Sequence, residues 1–220
     1  MASILLPTMP LPSQTPSIRT ERLVLRAFKR SNLPALHQLR TILDVMRWTS
    51  QGTVDSSEDE SSAWLEQFIY DDDQTERRNY NFVVLKKPNP STTPSDAVYE
   101  KQEVDDSTFI GVLGIHQFDP LGLPRLGYMF LPEAWGKGYA TEALGGFQKA
   151  WWDLPRDDPM VFSLRGLTKE LRPGSIRAFT NKSNMPSAAV LRKNGWVAEK
   201  ESQNGDKVIV SWIIRGPVDD

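Results

Sequence analysis

The sequence predicts a single α/β domain of the mixed α+β kind: a mostly antiparallel, twisted sheet with helices on both faces. Three observations carry this expectation. Short apolar runs of period two alternate with stretches of helical period, in the order β-α-α-β-β-β-α-β-α-β-β. The 220 residues suffice for one sizeable core. Hydrophobic residues make up 39% and charged residues 25%, the balance of an ordinary globular protein.

The elements follow in order. Residues 1–18 carry Pro7, Pro10, Pro12 and Pro16 and read as an extended arm, because proline fixes φ and removes backbone donors. The domain proper is expected over 19–216. Thr20 to Arg26 reads as a first strand with Leu23 and Leu25 on one face. A helix follows, capped by Ser31 or Asn32 with Pro34 in its first turn, and Leu36, Leu39, Leu43 and Met46 form its apolar stripe. A second helix starts after Ser57, where Glu60 is placed to complete a capping box. Trp64, Leu65, Phe68 and Ile69 supply its buried face.

Asn81 to Leu85, Phe109 to Phe118 and Leu126 to Leu131 read as strands. A long Pro-, Ser- and Asp-rich insertion at about 86–108 separates the first two. After Gly136-Lys137-Gly138 comes a helix bearing Ala140, Ala143, Leu144, Phe147 and Trp151 at helical spacing. A second insertion is expected at 153–173. Ser175 to Thr180 is a strand, and Asn184 opens a helix that ends at Gly195. Trp196 to Glu199 and Val208 to Ile214 make a closing hairpin around Asn204-Gly205.

Composition narrows the function classes. Net charge is −2 with no strongly basic block, which disfavours a nucleic-acid partner held by phosphate neutralisation. The chain has no cysteine, so disulfides, thiolate nucleophiles and cysteine-based zinc sites are excluded. The two histidines, His37 and His116, lie far apart, and no metal is expected. The N-terminus lacks a basic region, and its prolines break the apolar run, so no signal peptide is expected. No apolar run reaches the length of a membrane span. No membrane partner is expected, and a cytoplasmic location is the expectation.

Gly136-Lys137-Gly138 lies between a strand and a helix. Glycines there let a ligand approach the backbone, and the first N–H groups of a helix have no internal partner. With the helix dipole they make an anion site, to which Lys137 adds charge. A plain packing turn is the competing reading. The dinucleotide fingerprint fails, since Thr141 stands at the third glycine position, and the Walker pattern fails as well.

The segment from Gly127 to Ala143, GYMFLPEAWGKGYATEA, resembles the acetyl-CoA motif of the GNAT superfamily, most closely in the RimJ/RimL-like branch of ribosomal-protein N-terminal acetyltransferases. Thr20-Glu21-Arg22-Leu23-Val24-Leu25-Arg26 is similar to the first strand of that branch. Arg177 to Thr180, Asn184 to Ser187, Val190-Leu191 and Gly195-Trp196 are similar to its late strand and helix. The resemblance runs from about residue 18 to 200. It implies acetyl-CoA as co-substrate and an amine acceptor, either a peptide N-terminus or a small molecule. It does not imply an oligomeric state.

Residue by residue, the resemblance implies that the pyrophosphate sits on Trp135, Gly136, Lys137, Gly138, Tyr139, Ala140 and Thr141. Phe130 and Leu131 would meet the pantetheine arm through backbone groups, and one amide of that strand would polarise the thioester carbonyl. Asn184 would contact the arm and Ser187 would lie near the thiol as general acid. For these two the competing readings are a helix N-cap and a solvated side chain. Lys182, Arg192 and Lys193 are offered to the 3′-phosphate. Glu142 is expected to complement the helix dipole and Glu133 to be solvated.

The general base is open. Arg125 stands where many relatives carry Glu, and His116 on the neighbouring strand is the substitute, against the reading of a histidine with a satisfied hydrogen bond. An α-amine titrates near ~7.8 and a lysine near ~10.4, a difference of about 3.5 kcal/mol. A site with no carboxylate in place therefore suits an α-amine or a low-pKa small-molecule amine. The alternative is a GNAT-like domain that binds CoA or a protein with little turnover.

Overall fold

Alternation along Leu23–Ala27 (β2) sends Leu23 and Leu25 to one side of a sheet and Val24 to the other, and all three are buried. This two-sided burial recurs in Tyr80–Lys86 (β3) and Phe109–Phe118 (β4), whereas Pro124–Phe130 (β5) buries only the face of Pro124, Leu126 and Phe130. A computed structural model describes residues 7, 9–69, 80–88, 109–119, 123–155 and 175–216. With Ile18–Arg19 (β1), Ile176–Asn181 (β6), Val197–Asn204 (β7) and Lys207–Ile214 (β8), these strands form one sheet in the order β1-β2-β3-β4-β5-β6-β8-β7. Every pairing is antiparallel except β5 with β6.

The helices divide between the faces. Tyr139–Trp152 (α4) and Met185–Lys193 (α5) cover the face of Leu25, Phe82, Leu113, Leu126 and Trp212, burying Phe147 and Trp151. Leu33–Arg40 (α1), Leu43–Met46 (α2) and Glu58–Leu65 (α3) stand on the other face, where α1 and α3 cover Val24, Val83, Leu85 and Val112. The mixed fold with helices on both faces is therefore as expected.

Local departures have physical causes. The first helix is broken at Thr41–Ile42, where Ile42 takes extended φ/ψ, so Leu43 is 61% exposed rather than part of the stripe. Glu60 does not close a box on Ser57; its carboxylate accepts from the Ser56 amide and hydroxyl, one residue earlier. The N-terminal arm is not extended throughout, since Pro12–Gln14 make a 3-10 turn and Ile18–Arg19 pair with β2. In the closing hairpin, positive φ falls on Gly205 alone, which opens a two-residue loop before Lys207. The insertions expected at 86–108 and 153–173 fall almost wholly outside the described residues.

A buried polar cluster locks α1 to α3. Arg40 donates through Nε to Asp55 Oδ2 at 2.6 Å and through Nη2 to Gln51, and its guanidinium lies over the Trp64 ring. Ser61 donates to Asp55 at 2.6 Å and meets His37 Nδ1 at 2.9 Å. Burial opposes ionisation of Asp55, but the hydrogen bonds from Arg40, Ser61 and Gln51 outweigh it and hold its pKa below the ordinary value.

Asp55→Asn leaves Arg40 buried without its carboxylate and is expected to destabilise the fold by about 3–5 kcal/mol at neutral pH. The native pKa of Asp55 is depressed. Its contribution is therefore complete above the unfolded-state value near ~3.9 and disappears as pH falls through the lower native value. Urea unfolding across that range should show the gap between wild type and variant closing as the solution becomes acidic.

Candidate functional site

The site grows from the point where β5 and β6 part. The two strands pair in parallel only at Arg125 with Arg177 and Leu126 with Ala178. The Leu131 amide donates to the Ile110 carbonyl of β4 at 2.9 Å. Antiparallel alternation then turns the backbone groups of Gly127 and Met129 to β4 as well, and those of Tyr128 and Phe130 toward the β6 side. There they find no paired strand residue. The Phe130 carbonyl is answered by the Trp135 indole N–H at 2.8 Å. The Leu131 carbonyl accepts from Ala134, so both backbone groups of Leu131 are engaged within the protein. Phe130, not Leu131, turns a backbone N–H to the cleft.

Beyond β5, Pro132–Ala134 form a 3-10 turn and the chain reverses through Gly136 (φ 71°) and Gly138 (φ 80°) into α4. Gly138 is the N-cap, with no side-chain cap, and the first helical bond runs from the Glu142 amide to the Gly138 carbonyl. Among the described residues, the amides of Gly136, Lys137, Gly138, Tyr139, Ala140 and Thr141 make no hydrogen bond. Six successive free donors at a helix N-terminus form an anion cradle. Lys137 and Trp135 are exposed beside it.

One carboxylate holds the cradle in place. Glu142 accepts from Thr20 Oγ1 at 2.6 Å and from the amide and Nε of Arg22, each at 2.7 Å. The Arg22 guanidinium also donates to the Lys137 carbonyl at 3.0 Å and lies 4.6 Å from the Tyr139 ring centre. A Cβ at Gly138 would stand 3.4 Å from its Nη2. Burial raises the Glu142 pKa, but the Thr20 and Arg22 hydrogen bonds bring it below the ordinary value. Glu142 thus anchors the turn to the start of β2, a tighter role than dipole complementation. Arg22 is a site residue that sequence reasoning missed. Its signal lay in the Thr20–Arg26 segment, read there only as a strand.

Across the parting of the strands, Tyr128 Oη and Ser187 Oγ lie 2.7 Å apart. Burial pushes the Tyr128 pKa up to about 12 despite the Ser187 hydrogen bond, so the phenol stays protonated. Asn184 caps α5, accepting from the Ser187 amide at 3.2 Å. Capping occupies its oxygen and leaves its Nδ2 donors. Of the three basic residues considered for a 3′-phosphate, Lys182 pairs with Glu201 at 2.8 Å and Arg192 lies over the Trp212 ring, while Lys193 is exposed.

His116 is the extra residue of a β4 bulge: Ile115 pairs with Leu126 and Gln117 with Arg125. Its ring lies over Gly127, where a Cβ would come within 2.9 Å of Nδ1. By surface area the residue is exposed. Even so, the crowded groove desolvates it and Arg125 adds like charge, so its pKa falls to about 4. It is neutral at pH 7 but a much weaker base than a free imidazole. A shallow surface depression of about 370 Å³ lies elsewhere, lined by Asn181, Lys182, Ser183, Asp206, Lys207 and Val208.

The family model for the acetyltransferase (GNAT) domain matches residues 22–197. No curated protein matches the chain. A GNAT-family acetyltransferase from Bacillus anthracis superposes with a TM-score of 0.61 at 20% identity, covering 91% of this chain and 98% of that one. RimL, a ribosomal-protein α-N-acetyltransferase solved in complex with coenzyme A, gives 0.66 at 16% identity over 91% and 98%. A spermidine N-acetyltransferase from Vibrio cholerae, solved with CoA and spermine, gives 0.58 at 17% over 89% and 96%. These likenesses show a shared fold. The family match spans most of the chain and includes the parted strands and the glycine turn, and the protein belongs to the GNAT acetyltransferases.

Proposed function

We propose that the protein transfers an acetyl group from acetyl-CoA to a primary amine, either the α-amine of a protein N-terminus or a small-molecule amine, by direct attack in a ternary complex. The six unpaired amides of Gly136 to Thr141 carry this reading. They fit a pyrophosphate, with Arg22 and Lys137 beside it. The Tyr128 and Phe130 backbone groups facing the gap fit an extended, amide-bearing arm. Acetyl-CoA supplies the thioester, whose acyl carbon passes from sulfur to nitrogen.

The residues have distinct roles in this reading. The Phe130 or Tyr128 amide donates to the carbonyl oxygen as charge develops on it, a preorganised contact worth roughly 10²–10³ in rate. Ser187 gives its proton to the departing sulfur and takes one from Tyr128, and the solvent that receives the amine proton returns one to the phenol, which is neutral at rest. Asn184 Nδ2 contacts the arm. The amine proton leaves to water, since neither Arg125 nor His116 is an effective base. That favours an amine with a substantial free-base fraction at neutral pH, such as an α-amine.

Thiol release from acetyl-CoA with a panel of amines is the direct test. Turnover is expected, faster with free peptide N-termini than with matched internal-lysine peptides. CoA is expected to raise Tm where NAD and ATP do not. CoA binding without thiol release would establish the alternative, a binding domain with little turnover.

Tyr128→Phe and Ser187→Ala should each lower kcat about tenfold with little change in the KM for acetyl-CoA. This is a small effect for general acid catalysis, because a thiolate of pKa ~8.5 leaves without much help. The double variant should be no slower than the worse single one, since the hydroxyls act as one unit. Additive losses in steady-state kinetics would separate them.

A further inference from the structure

The parting of β5 and β6 exposes a second surface, on the face away from α4 and α5. Leu126 and Ala178 belong to the core under those helices. Alternation therefore turns Arg125 and Arg177 to the opposite face, one residue before the last paired register, Leu126 with Ala178, where the strands separate. The hydrophobic cluster that α1 and α3 cover there centres on β2, β3 and β4, leaving Phe179 of β6 39% exposed.

The two arginines are held very differently. Arg177 meets Asp119 and Glu199, each at 3.4 Å. Arg125 makes no ion pair among the described residues. Its guanidinium lies 4.4 Å from the centre of the Phe179 ring, and its Nε is 3.2 Å from the Gln117 amide oxygen in the orientation that satisfies both groups. A ring beneath and an amide beside it fix the plane of the fork without neutralising its charge. Next to it, His116 over Gly127 adds no charge at pH 7. The vertex of the cleft, where the acetyl-transfer reading brings acceptor and acyl group together, thus carries an oriented guanidinium with no direct ion pair among the described residues; Asp119, which meets Arg177, attracts it only through space.

We propose that Arg125, seated on Phe179, is a subsite for an anionic group carried by the acceptor close to its amine, so that the preferred acceptors are amino-acid-like or acidic at the N-terminus. This rests on the acetyl-transfer reading and names the acceptor class within it. A guanidinium fork pairs with a carboxylate through two parallel N–H···O bonds. Such a bond leaves the amine of the same molecule free to face the cleft. A polyamine would bring a second positive charge against Arg125 instead, so polyamines are poor acceptors for this chain.

The test measures kcat/KM by thiol release for tetrapeptides with Asp, Asn or Lys at the second position, for free aspartate and asparagine, and for spermidine. Asp is expected to exceed its Asn isostere by about 10–100-fold, the range for a hydrogen bond to a charged group, with Lys and spermidine below both. The peptide and free-acid arms show whether the carboxylate comes from a chain or from a small molecule. Arg125→Gln should bring the Asp/Asn ratio close to one, while Arg125→Lys should retain part of it, as a charge without the fork. The CoA-induced rise in Tm of each variant reports folding and donor binding separately from acceptor choice. An Asp/Asn ratio at or below one in the wild type, or a ratio unchanged by Arg125→Gln, overturns the subsite and leaves acetyl transfer standing if other amines turn over. No thiol release with any amine overturns both.

Discussion

Two residue pairs, Arg125 with Arg177 and Leu126 with Ala178, hold β5 to β6, and the open cleft follows from how little that is. A strand whose neighbour departs keeps backbone donors and acceptors that need partners. The protein answers one of them internally, with the Trp135 indole on the Phe130 carbonyl, and bridges the gap further along with Tyr128 and Ser187. The remaining groups face the cleft, where a ligand with its own amides can extend the sheet. The gap is kept open by its walls: α4 is packed under β2 to β5 and α5 under β6 and β8, joined by Gln148 to Trp196 and to the Asn194 carbonyl.

The cradle depends on a similar economy of contacts. Six free amides in succession suit solvent or an anion but hold no shape of their own. Their geometry is imposed from outside by Glu142, which ties α4 to Thr20 and Arg22, and by the Arg22 contact with the Lys137 carbonyl. The negative charge of Glu142 is thereby spent on Arg22 rather than presented to the ligand. One pair thus positions the donors and keeps a guanidinium at the rim.

Local features were legible in the sequence, and long-range ones were not. The strand–turn–helix around Gly136 to Gly138 and the Asn184 cap depend on neighbours in the chain and stand within a residue or two of expectation, while the first strand of the closing hairpin runs to Asn204, five residues past the expected Glu199. Arg22 beside the cradle and Tyr128 against Ser187 join residues 115 and 59 positions apart, which no periodicity records. Leu43 fitted a helical stripe that the break at Thr41–Ile42 turned away from the core. His116 looked like a base because its ordinary pKa is suitable. The bulge that sets it over Gly127 and beside Arg125 lowers that pKa.

In the proposed reading the unpaired backbone, rather than any one side chain, builds the donor site. Amide hydrogen exchange with and without CoA addresses it most directly. Slowed exchange is expected at Gly136 to Thr141 and at Tyr128 and Phe130, with Gly127, Met129 and Leu131 unchanged because β4 already protects them. Protection by CoA that fell elsewhere, or that left Gly136 to Thr141 exchanging as in the free protein, would contradict it.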